Sequence, residues 1–505
     1  MAAPPDTTNP PPTHDVRVRF APSPTGLQHI GGYRTALFDW LLARHNGGKF
    51  LLRIEDTDTA RTVPGAVEAL IQGFRWLGLD WDEGPEVGGP FGPYFQTQRR
   101  DLYGAYAQQL IASGHAYRCF CSPERLQQVR EAFQARNEPP RYDRHCRALS
   151  EGDIAARLAS GDNFVVRQAV PFAGATLVTD TLRSAPIQFD NANLDDAVLL
   201  KSNGFPTYHL ANVIDDHFMR ISHVIRAEEW ISSAPLHVML YRALGWDEPV
   251  FAHVPDVLGR DGKKLSKRTG AVPLVEYDGL GYLPDAVLNY MALLGWSYDD
   301  KADILSRDEL VRAFSLERVG TAAAKFDEER LLWFNGMYIR RLTPEELTER
   351  TLPFLERPAS EGGLPVDVER PLDRAHVARV LRLEQERMKL LAEAPEMTAF
   401  FFSDDITYDP ALLLPKGLEP GKARAGLTRA EAILRAAPAW QAHALEEPLR
   451  ALVAELELKP VQLFTALRVA VTGRTVSPPL FDTFEVLGRE RTLARVATAI
   501  ARVPA

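Results

Sequence analysis

Long apolar runs are missing from this 505-residue chain. None reaches the ~18 residues that a membrane-spanning helix requires, which predicts no span and no membrane partner. Cysteine is scarce: three residues cannot build a disulfide framework, and an odd count suits a reducing compartment. Positive charge is not in surplus either. Lys and Arg number 58 against 67 Asp and Glu, a net charge of −9, so the chain is no general polyanion binder. Any nucleic-acid surface must be a local basic stripe on an acidic body. A targeting pattern is also lacking. Met1 to Asp15 holds five prolines and no basic segment ahead of an apolar one, so residues 1–14 read as a disordered tail. Together these absences predict a soluble, cytoplasmic protein.

What is present is globular: 45% hydrophobic and 25% charged residues, over a length that suggests roughly three to four domains. Val16, Val18 and Phe20 alternate like a strand. Ala21–Gly26 is turn chemistry, and Tyr33, Ala36, Leu37, Trp40 and Leu41 then fall on one helical face. Phe50–Ile54 reads as a second strand. A second helix is expected from near Pro64, with Val67, Leu70, Ile71, Phe74 and Leu77 on one face and Gly78 past its end. Strand, helix, strand, helix implies a βαβ unit with a parallel sheet. Residues 15–94 are therefore assigned to the first half of an α/β domain and 95–208 to an insertion. The sheet resumes over 209–262, followed by a connecting region at 263–340. Helical periodicity takes over beyond about 340, dividing into 341–400 and 401–505, with Gly/Pro stretches at 357–366 and 413–426 as candidate linkers.

Two motifs carry chemistry. Pro22-Ser23-Pro24-Thr25-Gly26 leads through His29 into Gly31-Gly32, between a strand and a helix. A helix N-terminus offers free N–H groups to a phosphate chain, a histidine can bond phosphate oxygens as charge builds, and glycines let a flat base approach the backbone. Read alone, this is also an ordinary strand-to-helix turn. Gly262-Lys263-Lys264-Leu265-Ser266-Lys267-Arg268 is a cationic loop able to close over a triphosphate, and alone it is equally a solvated basic loop. Cys119-x-Cys121 followed by Cys146 has the spacing of a tetrahedral zinc knuckle with one ligand unassigned. Three unlinked thiols are the bland alternative.

Together, the His29 turn and the later Lys264–Arg268 run resemble the paired signatures of class I aminoacyl-tRNA synthetases. Further blocks narrow the likeness to bacterial glutamyl-tRNA synthetases: RIEDTD (53–58), PTYHLANVIDDH (206–217), VIRAEEW (224–230), ALRVAVTGRTVSPPLFD (466–482) and LGRERTL (487–493). The resemblance covers essentially the whole chain after residue 15. Gly32 stands where many class I members have a second histidine, a departure common among bacterial glutamyl enzymes.

The resemblance implies a Rossmann-like catalytic domain split by an acceptor-binding insertion, then a stem-contact region and all-α anticodon-binding domains. It implies a cytoplasmic monomer that takes L-glutamate, ATP with Mg²⁺, and tRNA(Glu). Arg19 and Arg226 would face the γ-carboxylate, satisfied by glutamate and left unpaired by glutamine. Their alternative is structural pairing, for example with Asp56 or Glu228. Glu55 would receive the ammonium, with Ala21, Ser23, Tyr208 and Asn212 lining the pocket. His29, Lys264 and Lys267 would stabilise charge on the α-phosphate, with Gly31, Gly32, Leu265, Ser266 and Arg268 completing the ATP site. The substrate carboxylate is itself the nucleophile, so catalysis would be positioning plus electrostatics.

In relatives the fourth zinc ligand lies two residues after the third cysteine, here Ala148, or is a tyrosine four before it, here Tyr142. His145 is the other neighbouring donor. Zinc would keep the insertion rigid beside the acceptor end. Arg468, Ser477, Pro478 and Phe481 would line the anticodon pocket, among a C-terminal concentration of arginines at 474, 489, 491, 495 and 502. Arg387 would read the third anticodon base and exclude the glutamine tRNA. The alternatives are a non-discriminating enzyme, a glutaminyl enzyme (whose anticodon region is built of β-barrels) and a catalytically silent tRNA-binding paralogue.

Overall fold

The computed structural model describes residues 15–265, 272–298 and 303–504. The tail at 1–14 and Ser266, Lys267 and Arg268 lie outside them. Two compact units emerge: 1–277 with 287–328, and 278–286 with 329–505. The expected connecting region at 263–340 is thus shared between the units. Leu283 and Ala286 pack in the same core as Ile339 and Leu347, which assigns that short segment to the second unit.

The first unit is built on parallel strand pairs. β1 (Arg17–Phe20) pairs with β2 (Lys49–Leu52) in the register Val18↔Phe50, and α1 (Ile30–His45) connects them. α2 (Ala66–Leu77) follows and ends at Gly78, whose φ of 64° is left-handed and suits glycine at a helix stop. After the insertion, α6 (Tyr208–Phe218) leads into β8 (His223–Ala227), which α7 (Ala234–Leu244) links to the parallel β9 (Val250–Val254). Ser222 joins the two pairs: its N–H and Oγ both donate to the Arg17 carbonyl, and its Oγ accepts from the Arg17 N–H. β10 (Val257–Leu258) pairs in parallel with β11 (Ala324–Lys325). The insertion carries α3 (Arg100–Ala112), α4 (Pro123–Ala135) and α5 (Glu151–Ala159). Its antiparallel sheet is made of β3 (Ala116–Cys119), β4 (Val165–Gln168) and β7 (Val198–Leu200), with a hairpin of β5 (Ala175–Val178) and β6 (Ile187–Asp190).

One-sided amphipathicity was the expectation for α1, yet it is buried almost all round. Segments far along the chain cover its second face. Phe314 meets Phe38 at 5.4 Å, and Arg34 donates to the carbonyls of Leu294 and Pro255.

The second unit is helical. Helices Pro344–Leu355, Arg374–Glu384 and Ala394–Phe402 surround one core, with Leu347, Leu355, Val377 and Leu381 at its centre. Helices Pro420–Ala436, Ala442–Glu455, Pro460–Thr472, Leu480–Leu487 and Arg489–Arg502 enclose another around Leu427, Leu449, Leu467 and Phe484. The stretch 413–426 is not a linker. Leu413, Leu418 and Ala423 are core residues, and Pro420 opens a helix, where its missing N–H costs nothing.

Candidate active site

A cavity of about 590 Å³ opens where β1, β8 and the start of α1 converge. Arg19, Ala21, Ser23, His29, Gly31, Gly32, Glu55, Tyr208, Asn212, Arg226, Lys264 and Leu265 all line it. A short loop after each parallel strand brings these distant residues together, as expected at the carboxyl ends of such strands.

Its floor is a buried ionic network. Arg19 Nε donates to Asp216 at 2.9 Å, and Arg53 reaches Asp216 at 2.8 Å and Glu55 at 3.2 Å. Arg99 Nε donates to Asp215 at 2.7 Å, and Gln96 and Tyr103 donate to its other oxygen. Asn212 fits with its NH₂ donating to Asp216 and its oxygen accepting from Arg19 and Arg53. Three guanidiniums (Arg19, Arg53, Arg99) thus face three carboxyl groups (Asp215, Asp216, Glu55). Burial drives the Glu55 carboxyl up to about 7, against the pull of Arg53 and Arg19.

Arg226 is different. Its Nε donates to His253 Nε2 at 2.9 Å, and its Nη1 donates to the Tyr208 hydroxyl at 2.9 Å and to His237 Nδ1 at 3.1 Å. Its Nη2 donates to the Trp230 carbonyl at 3.5 Å. Among the described residues no carboxylate lies within ion-pair distance of it, although it is only 5% exposed. Its positive charge is therefore met by no carboxylate of the described residues, only by neutral acceptors. The pairings considered from sequence are replaced: Arg19 pairs with Asp216, whereas Asp56 binds Thr97 and Glu228 accepts from the Asp256 N–H. The Tyr208 ring packs on Trp230 at 4.2 Å, and its hydroxyl, accepting from Arg226, keeps its own proton to donate.

At the other end, His29 caps α1, its Nδ1 accepting from the Gly31 N–H at 3.1 Å. The neutral ring then carries its proton on Nε2. The first turn of α1 holds no acidic residue, leaving the positive end of the helix dipole uncompensated. A Cβ at Gly31 would sit 3.0 Å from the His29 ring, and one at Gly32 would sit 2.4 Å from the Gln28 amide oxygen. Both glycines therefore make room for this turn. Lys264 is held by Glu229 at 2.5 Å and Asp256 at 3.1 Å. Burial works against its charge, but these two carboxylates hold its pKa above the ordinary range. Motif reading missed His209, His237, His253 and Asp180. The only signal was a histidine inside each of three apolar stretches.

In the insertion, Cys119, Cys121 and Cys146 bring their sulfurs within 4.8 Å of one another. The Tyr142 oxygen lies 3.3 Å from Cys119 Sγ and 3.4 Å from Cys121 Sγ, while His145 is exposed. Cys121 and Cys146 sulfurs are 3.5 Å apart. A tetrahedron with Zn–S of ~2.3 Å and Zn–O of ~2.0 Å has edges of roughly 3.5–3.8 Å, so the four donors fit a zinc ion.

In the helical unit, Arg468 Nε donates to Ser477 Oγ at 3.2 Å. Pro478 is buried, and Phe481 is a core side chain, edge-on to Phe464 at 5.4 Å. Arg387 is exposed, held by Glu384 at 2.8 Å. Four of the other C-terminal arginines are tied to backbone carbonyls, whereas Arg502 is exposed. Arg474 donates to the Glu396 carbonyl, Arg489 to Ala437, Arg491 to Phe401, and buried Arg495 to Val471 and Ser403. Except for that of Glu396, in the first turn of its helix, these carbonyls lie in the last turn or C-cap of a helix.

Comparison with known proteins agrees with this geometry. Residues 15–333 match the family model for tRNA synthetases class I (E and Q), catalytic domain, and residues 346–500 match that for an anticodon binding domain. The fold is that of a class I tRNA synthetase, a class that uses ATP with Mg²⁺. A glutamate–tRNA ligase from Dehalococcoides mccartyi strain CBDB1 is 52% identical, over 97% of this chain and 98% of its own. One from Roseiflexus castenholzii is 49% identical over 96% of each. A crystal structure of a glutamate tRNA ligase from Elizabethkingia meningosepticum in complex with its amino acid superposes with a TM-score of 0.88 at 35% identity, covering 97% of this chain and all of that one. The chain belongs to the glutamate–tRNA ligase family, and it joins glutamate to tRNA.

Proposed function

We propose that this chain is a cytoplasmic, monomeric glutamyl-tRNA synthetase that charges tRNA(Glu) and excludes tRNA(Gln). The observation that carries the substrate reading is Arg226: a buried cation that, among the described residues, has no carboxylate partner and whose fifth N–H, on Nη2, is uncommitted. A γ-carboxylate supplies the missing charge. Glutamine cannot, and it leaves the guanidinium buried and unpaired. Glu55 receives the ammonium, while Tyr208 and Asn212 hold the substrate between the two ends.

The glutamate α-carboxylate attacks the α-phosphorus of MgATP, forming glutamyl adenylate and releasing pyrophosphate. His29 Nε2–H, the N-terminus of α1 and the cations Lys264 and Lys267 stabilise the charge that builds on the phosphate oxygens. A terminal ribose hydroxyl of the tRNA then attacks the acyl carbon and AMP leaves. Lys264 exchanges its carboxylate partners for phosphate in the first step. Cys119, Cys121, Tyr142 and Cys146 would hold a structural zinc that ties β3 to the 142–146 turn. Arg468 and Ser477 line the anticodon site, with Pro478 and Phe481 supporting them from the core, and Arg387 reads the third base.

Charging of labelled glutamate onto separate transcripts of the two tRNAs tests this. Charging of the glutamate tRNA alone is expected. Charging of both would remove discrimination, and charging of neither would remove the synthetase reading.

A further inference from the structure

Arginine only donates hydrogen bonds. Each imidazole touching Arg226 must therefore offer it a lone pair, which fixes the tautomer of both. His253 accepts at Nε2, so its proton is on Nδ1 and is donated to Asp180 Oδ2 at 2.7 Å. His237 accepts at Nδ1, so its proton is on Nε2 and is donated to His209 Nδ1 at 3.2 Å. His253 and His237 are at most 1% exposed. Burial and the neighbouring guanidinium keep both, and His209, below the ordinary histidine range; Asp180 opposes this at His253 without reversing it.

Asp180 is itself anchored. Its Oδ2 also accepts from the His253 N–H at 3.0 Å and its Oδ1 from the Leu182 N–H at 2.9 Å. The next residue, Thr181, donates its N–H to the Phe251 carbonyl on β9. Arg183 lies 3.5 Å from Asp180 and balances its charge.

We infer that Asp180 and His253 are positioning residues for glutamate recognition: Asp180, from the insertion, locks the His253 tautomer, and His253 holds the Arg226 guanidinium at the angle that meets the γ-carboxylate. This rests on Arg226 as the carboxylate anchor. A charged carboxylate could have held Arg226 in place of His253 but would have neutralised it. Neutral imidazoles fix the guanidinium and leave its charge for the substrate. Neither residue touches the ATP end of the cavity, so their loss acts on glutamate alone.

The test compares Arg226→Ala, His253→Leu, His253→Gln and Asp180→Asn in the full-length enzyme, measuring KM for glutamate and for ATP at saturating tRNA. Arg226→Ala is expected to raise the glutamate KM by about a hundredfold or more, and His253→Leu by about tenfold or more, with the ATP KM unchanged. A glutamine can accept from Arg226 and donate to Asp180, so His253→Gln should recover most of the loss. An unchanged glutamate KM in His253→Leu, beside a raised one in Arg226→Ala, would overturn the positioning role alone. An unchanged KM in Arg226→Ala would overturn the anchor assignment and the positioning role together. Equal rises for glutamate and ATP without rescue by His253→Gln would reduce His253 to a structural residue. Should His253→Leu not fold, Asp180→Asn keeps the side-chain shape and carries the same test, a raised glutamate KM with an unchanged ATP KM supporting the role and an unchanged glutamate KM overturning it.

Discussion

Glu55 and Asp39 are both buried carboxyls, with different consequences. Glu55 lies against Arg53, but desolvation wins and places its pKa at about 7. An arriving ammonium favours the carboxylate, so glutamate binding should strengthen as Glu55 loses its proton. The glutamate KM is expected to fall from about pH 6 to about pH 8 and level off, and Glu55→Gln should weaken binding and abolish this slope. Asp39, on α1, is fully buried, and neither of its oxygens has a hydrogen-bond partner among the described residues. Burial holds its pKa well above the ordinary value, with Arg19 opposing. A raised folded-state pKa contributes stability below the unfolded value, and that stability is lost as pH rises. Asp39→Asn should therefore stabilise the protein by about 1–3 kcal/mol near pH 8 and change little near pH 4, read from denaturant unfolding at both pH values.

At the scale of an element, α1 does two jobs that pull its sequence in different directions. Its body is core on nearly every face, while its first turn must stay open, free of acidic residues and of bulk. The Cβ of a Gly31→Ala variant would press on the His29 ring and disturb the cap bond from the Gly31 N–H. Its kcat is expected to drop by about tenfold or more with the glutamate KM unchanged, measured in steady-state charging. Much of this element was legible. The turn, the glycines and the helical spacing predict α1 and its anion-facing end. Its second buried face was not legible, because Phe314, Leu294 and Pro255 meet it from more than 200 positions away and leave no mark on local periodicity.

At the scale of the whole molecule, function is divided between two units with separate cores. In the first, the insertion supplies both the zinc-type donor set and Asp180. Metal analysis of the purified protein is expected to give one zinc per chain, and Tyr142→Phe should weaken zinc retention against a chelator by about tenfold or more. In the second, Arg387 is held by the buried Glu384, whose carboxyl burial raises to about 7 against the pull of Arg387. Arg387→Ala should raise the KM for tRNA(Glu) and allow charging of tRNA(Gln), while leaving glutamate affinity intact.

The order of strands and helices, the turn ahead of α1 and the cysteine cluster were decided by residues close together in the chain. Turn chemistry, 2.0- and 3.6-residue periodicity and ligand spacing act over short range. The partners of the buried charges were decided only by the tertiary structure. Arg19 finds Asp216 across 197 positions, and His253 finds Asp180 across 73. The same holds for Arg474, Arg489, Arg491 and Arg495, which read as part of a cationic surface until packing placed a carbonyl within reach of each. A desolvated charge must pair with whatever the fold brings to hydrogen-bond distance, and that proximity exists only once each unit has folded.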